Sequence, residues 1–243
     1  MTSFVIKIIA ICSMFCDHLS DSLIGHFTFL NVIGRIAFPL FAFQIVIGYK
    51  KTSNVKKYLT RLLIFAIISQ IPFQVFITNY TGERFNLNIF FTLACGLISL
   101  IILNKNFTKN KVLNTAIQIM LISIICILSW LLNFDYKVTG ILTIILIYYT
   151  YPCDWNEDKK TIEYRKTPLL FLGAICLSLI EYGDILMQGQ LTVFIQIFIA
   201  SLLPIFIMLA YNGEKGKSLK YFFYAFYPVH LIILDLISLQ LND

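Results

Sequence analysis

Lys7 and His18 stand in the first long apolar stretch of the chain, residues 4–23, with ten residues between them. A charged or titratable side chain in hydrocarbon costs about 2.5–3.5 kcal/mol on insertion scales, so such residues tend to be few and functional. Eleven helical positions correspond to a rotation of about 1100°, three turns and roughly 20°, with a rise of about 16 Å. Both side chains therefore share one face. A cation near one end of a helix and an imidazole deeper on the same stripe form the pattern of an anion-binding mouth leading to a proton-transfer centre. Asp17, Arg35, Asn88 and His230 are further polar residues at the ends of, or inside, apolar stretches.

Each of these has a plainer reading. Arg35 is either a structural cation paired with Asp17 or part of a reacting centre, since membrane charges tend to pair. His230 follows Tyr227 and Pro228, so it either satisfies carbonyls freed by the proline or acts functionally. Asn88 suits an interhelical hydrogen bond as well as a catalytic one. Glu181 and Asp184, at the end of an apolar stretch, read as solvated surface carboxylates. For His18 the functional reading is preferred, because an adjacent carboxylate and a lysine on the same face are hard to explain as packing. Cys12 and Cys16 are one turn apart, but no second pair with ligand spacing exists, so no metal site is expected.

The elements that must hold these residues follow from composition. Of 243 residues, 58% are hydrophobic and 13% charged, against about 25% charged in a soluble domain. The expectation is an all-α, polytopic bundle of transmembrane helices forming a single integral-membrane domain over 1–243. Nine stretches read as spans: 4–23, 29–48, 58–77, 87–103, 112–132, 138–151, 168–186, 191–211 and 221–241. A helix needs about 20 apolar residues to cross, so 138–151 is short. The first stretch lacks a compact basic start and a small-residue cleavage site, and it carries Asp17 and His18; it reads as a retained span rather than a signal peptide.

Basic residues alternate between the connections. Lys50, Lys51, Lys56, Lys57 and Arg61 flank the second, Lys105, Lys109 and Lys111 the fourth, Lys159, Lys160, Arg165 and Lys166 the sixth, and Lys215, Lys217 and Lys220 the eighth. Arg84 and Lys137 are the basic residues of the odd-numbered connections. By the positive-inside rule the N-terminus and the even connections are cytoplasmic and the C-terminus is outside. The net charge of +6 is then a topology signal and calls for no nucleic-acid partner. The polar stretch 154–167 reads as a solvated cytoplasmic loop.

Several blocks resemble one family in order along the chain. They are Asp17-His18, Gly34-Arg35-Ile36-Ala37-Phe38-Pro39-Leu40-Phe41-Ala42-Phe43, Tyr58 with Arg61-Leu62, and Ile68-Ser69-Gln70-Ile71-Pro72-Phe73. Asn88-Ile89-Phe90-Phe91-Thr92-Leu93 and Tyr227-Pro228-Val229-His230-Leu231 follow. Together they resemble the TraX family, whose namesake acetylates the N-terminus of conjugative pilin in the bacterial inner membrane. Lys7-x10-His18 is also similar to the basic-residue-x10-histidine signature of acyltransferase family three, which moves acyl groups from coenzyme A onto extracytoplasmic glycans. Both resemblances imply a membrane-embedded acetyltransferase that uses acetyl-coenzyme A and serves a pilin-like peptide amine or a glycan.

On that reading His18 is the general base, and Asp17 orients it or anchors Arg35. Sequence neighbours lie about 100° apart on a helix, so a direct Asp17–His18 hydrogen bond is not expected. Arg35 or Asn88 would polarise the acetyl carbonyl. Lys7, Lys57 and Arg61 would hold the coenzyme A phosphates, and His230 would line the thioester path. Intramembrane His, Asp and Arg are equally the parts of a proton-coupled transporter or flippase, and a noncatalytic assembly factor is the third alternative.

Overall fold

The computed structural model describes residues 1–24, 27–82, 85–151, 153–154, 161–162 and 166–242. Arg84, Lys159, Lys160 and Arg165, together with most of the 154–167 stretch, lie outside the described residues. Ten α-helices account for nearly all of the rest: α1 (Ser3–Leu23), α2 (Phe29–Gly34), α3 (Ala37–Lys51), α4 (Val55–Thr81), α5 (Ile89–Leu103), α6 (Lys111–Leu131), α7 (Lys137–Thr150), α8 (Thr167–Met187), α9 (Leu191–Leu209) and α10 (Lys220–Asn242). Between α7 and α8, β1 (Cys153–Asp154) and β2 (Thr161–Ile162) form a two-residue antiparallel pairing. The fold is otherwise all-α, as the composition implies.

Among the described residues, seven segments are long and apolar enough to cross a bilayer, with α2 and α3 together counted as one, Phe29–Lys51. The two remaining apolar helices, α5 and α7, are shorter. The nine expected stretches are therefore all helical, but 29–48 is not one continuous helix. It breaks at Arg35–Ile36, four residues before Pro39. Proline has no N–H to give the Arg35 carbonyl and its ring crowds that carbonyl, so the ladder cannot run through. Pro39 sits in the first turn of α3 instead, where proline is tolerated.

The short helices are interior and the long ones form the wall. The core gathers Leu40, Phe43 and Val46 of α3, Leu93, Leu97 and Leu100 of α5, and Ile144 of α7. α3 packs on α1, α5, α7 and α9. Gly96 of α5 lies so close to Ile144 of α7 that a Cβ there would overlap its side chain. In contrast, α6 and α8 bury little and expose Ile119, Trp130, Leu172 and Ile180, as helices facing lipid should.

The connections segregate to two ends. At one, Asn212 N donates to Met1 O, Ser3 N to Glu214 O, and Lys51 Nζ to Gly213 O, while Lys50 lies over the Tyr148 ring. This end gathers the N-terminus with the α3–α4 and α9–α10 connections. At the other, Leu87 N donates to Asn133 O, Asp135 N to Leu87 O, and Gln70 Nε2 to Asn86 O.

Candidate active site

A cleft of about 400 Å³ opens among α1, α3, α4, α5 and α10. Five cations line it: Lys7 from α1, Lys51 from α3, Arg61 from α4, Lys215 from the α9–α10 connection and Lys220 from α10. Among the described residues no carboxylate lines it, so the cleft favours a polyanion. Lys7 Nζ lies 5.6 Å from the Phe223 ring centroid, and the Arg61 guanidinium 5.6 Å from that of Tyr58. Such rings support a cation without neutralising it. Tyr58 is seated against Gly48, where any Cβ would strike the phenol.

Among the described residues, three cleft-lining side chains hold spare donors: Gln44, Arg61 and Tyr227. Ser3 Oγ donates to Gln44 Oε1 at 2.6 Å, while Gln44 Nε2 is buried without a partner. Arg61 Nε is likewise buried and unpartnered. Buried donors are normally satisfied, and unsatisfied ones on a cleft wall point to a ligand with acceptors.

Two histidines lie behind the apolar inner wall of the cleft and are not among its lining residues. Lys7 and Met14 both line it, and His18 follows one turn beyond Met14. His18 Nδ1 lies 2.7 Å from His230 Nε2, and His230 Nδ1 lies 2.8 Å from the Phe226 carbonyl oxygen. A carbonyl only accepts, so the proton of neutral His230 is on Nδ1 and its Nε2 accepts. His18 Nδ1 must then donate, which leaves the lone pair on His18 Nε2. Neighbouring Tyr227, which lines the cleft, has its ring centroid 6.3 Å from that of His18 and 5.8 Å from that of His230. The carbonyl that Pro228 leaves without its helical donor is that of Tyr224, so the His230 bond to Phe226 does not repair the kink.

Asp17, one residue from His18, turns to Arg35. Arg35 Nη2 donates to both Asp17 oxygens at 2.7 Å, and its Nε donates to Asn31 O at 3.2 Å. Asn31 Nδ2 donates to Asp17 at 3.1 Å and to Asp21 at 2.8 Å. This node is tied to the helix break, because Gly34 is the only residue type that leaves room for the Asp17 side chain packed against it. Tyr182, Tyr136, Glu181 and Asp135 surround Arg35 more loosely. Glu181 accepts from Thr139 Oγ1 and lines a second, smaller cavity of about 60 Å³, so it is engaged rather than merely solvated, whereas Asp184 is exposed. In the α6–α7 turn, burial and then the Glu181 carboxylate push the Asp135 carboxyl up to about 7.

The sequence-expected residues thus fall into three groups. His18 and His230 are together; Asp17 and Arg35 form an adjoining node; Lys7 and Arg61 share the cleft. Lys57 does not join them, being exposed and absent from the lining. Asn88 is fully buried and all its side-chain atoms are spoken for. Its Nδ2 donates to Ala66 O at 2.7 Å and Gln70 Oε1 at 2.9 Å, and its Oδ1 caps α5 through Phe90 N at 3.0 Å. It has no donor left for a carbonyl. Lys51, Lys215 and Lys220 carried only a topology signal in the sequence, and nothing in it singles out Gln44.

A family model for the TraX protein matches residues 3–238. The chain belongs to the TraX family. A curated relative supports the assignment: this TraX-family chain is 30% identical over 248 residues to the probable fimbrial assembly protein FimC, serogroup H1, of Dichelobacter nodosus, covering 96% of this chain and 94% of the relative. No solved structure matches it. The matched region contains the cationic cleft, the histidine pair and the Asp17–Arg35 node.

Proposed function

We propose that this TraX-family protein is a membrane acetyltransferase of pilus or fimbrial assembly, moving acetyl from acetyl-coenzyme A to an amine of a pilin-like subunit. The observation that carries this reading is the cationic cleft whose lining residue Tyr227 packs against the His18–His230 pair. Coenzyme A is a polyanion with a reactive end on a flexible arm. Lys7, Arg61, Lys51, Lys215 and Lys220 suit its phosphates, and Gln44 Nε2 and Arg61 Nε offer further donors. The apolar inner wall suits the thioester end. With the basic connections inside, the cleft opens to the cytoplasm of a bacterial inner membrane, where acetyl-coenzyme A is made.

His18 Nε2 takes the proton of the attacking amine while the nitrogen bonds to the thioester carbonyl carbon. His230 stabilises the resulting imidazolium by accepting from His18 Nδ1, the part a carboxylate plays in a serine hydrolase. Collapse of the tetrahedral adduct breaks the C–S bond, and the imidazolium returns its proton to the departing thiolate. An imidazole suits both transfers because its ordinary pKa lies near the working pH. Arg35 and Asp17 brace the segment carrying His18.

The test uses purified protein in vesicles, labelled acetyl-coenzyme A and a peptide carrying a pilin N-terminus. Wild type should label the peptide amine, and His18→Ala should lose about 10²–10⁴-fold in turnover, the range a general base contributes. Donor binding by His18→Ala should stay near wild type. Wild-type protein that neither binds the donor nor labels the peptide would refute the reading, and label on a glycan acceptor alone would move it to a hydroxyl.

A further inference from the structure

Resting on the acetyltransferase reading, we infer that Tyr227 and the first turn of α5 form the oxyanion site. Tyr227 is 3% exposed and its hydroxyl is buried without a hydrogen-bond partner. The backbone N–H of Ile89, the first residue of α5, is directed at the oxygen of that hydroxyl, which leaves the O–H proton without an acceptor. The opening N–H groups of a helix have no intrahelical acceptor, and together they present partial positive charge. Here Phe90 N is taken by Asn88 Oδ1 and Phe91 N by Asn88 O, so Ile89 is the amide left beside the phenol. Ile89, Phe90 and Tyr227 all line the cationic cleft.

The phenol, backed by the Ile89 N–H, thus presents one donor at the inner end of the cleft, next to the histidine pair. Preorganised donors aimed where charge develops are the usual means of stabilising a tetrahedral oxyanion. As the amine attacks, the carbonyl π electrons move onto oxygen. Tyr227 O–H donates to that oxygen without transferring its proton, the Ile89 N–H polarises the phenol from behind, and the bond loosens when the C–O double bond re-forms and the thiolate leaves. Asn88 then acts as a positioning residue: by capping Phe90 and tying α5 to Ala66 O of α4, it sets where α5 begins.

Tyr227→Phe removes the hydroxyl and little else. The expected result is a fall in kcat of about 10²–10³-fold, the scale for loss of one oxyanion donor, with the KM for acetyl-coenzyme A within threefold of wild type. Thermal stability in detergent should change little, because the hydroxyl proton has no acceptor in the resting protein. A wild type that transfers acetyl together with a Tyr227→Phe variant of normal kcat would overturn the oxyanion assignment alone. A variant that loses stability in step with activity would assign the hydroxyl a structural role and overturn it too. A wild type that neither binds nor transfers from acetyl-coenzyme A would remove the acetyltransferase reading and this site with it.

Discussion

At the residue scale the centre rests on a histidine oriented by a second histidine. The Phe226 carbonyl fixes the tautomer of His230, and His230 fixes that of His18. Both rings lie among aromatic side chains: His18 stands 5.2 Å from Phe76, and His230 4.8 Å from Phe226, centroid to centroid. His230→Ala removes the acceptor for His18 Nδ1 and lets the imidazole turn or change tautomer. Turnover should fall on the order of 10²-fold, the lower end of a general base's contribution. His230→Gln, which can accept through Oε1, should recover part of it. Equal losses in the two variants, measured as kcat at saturating donor, would mean that His230 contacts substrate rather than orienting His18.

At the element scale the break between α2 and α3 matters most. Pro39 stops the ladder at Arg35, and in that turn the Asn31 carbonyl accepts from both Arg35 N and Arg35 Nε while Nη2 holds Asp17. An unbroken helix would not present Arg35 in that turn. Ser13 Oγ adds a bond to Ile33 O at 2.5 Å, fastening α1 to α2 on the same side. Gly34 permits the close approach of Asp17. Gly34→Ala should therefore part α1 from α2, overfilling a packed contact at a cost of about 1–3 kcal/mol. A lowered thermal midpoint in detergent, with reduced turnover but an unchanged KM for the donor, is the expected signature. A variant with wild-type stability would show that Asp17 and Arg35 can separate freely.

For the whole molecule, function depends on which connections meet. The N-terminus and the α3–α4 and α9–α10 connections converge at one end, bringing cations from α1, α3, α4, the α9–α10 connection and α10 to one cleft. Lys7→Ala should raise the KM for acetyl-coenzyme A about tenfold with little change in kcat, since phosphate contacts far from the reacting carbon bind ground and transition states alike. Lys57→Ala, which alters an exposed lysine outside the cleft, should leave both constants unchanged. Kinetics of the two variants in parallel, at low and high salt, separate a built phosphate site from a diffuse basic surface. Equal effects at both positions would favour the diffuse surface.

Much of this organisation is local and therefore legible in the sequence. Apolar length marks the helices, the alternation of basic connections predicts which ends lie together, and the spacing of Lys7 and His18 places both on one face of α1. The motif blocks carry the family. What the sequence leaves open depends on chain segments far apart. The break at Arg35 is implicit in Pro39, but an apolar run hides it because hydropathy does not register a missing N–H. The partnership of His18 with His230 spans nearly the whole chain, and only the packing of α10 against α1 brings the two rings within hydrogen-bond distance. Asn88, Lys57, Lys215 and Tyr227 look alike in sequence terms as polar residues near span ends. Tertiary structure separates them: burial and complete hydrogen bonding commit Asn88 to a cap, exposure sets Lys57 aside, a shared cleft recruits Lys215, and an unmet donor marks Tyr227.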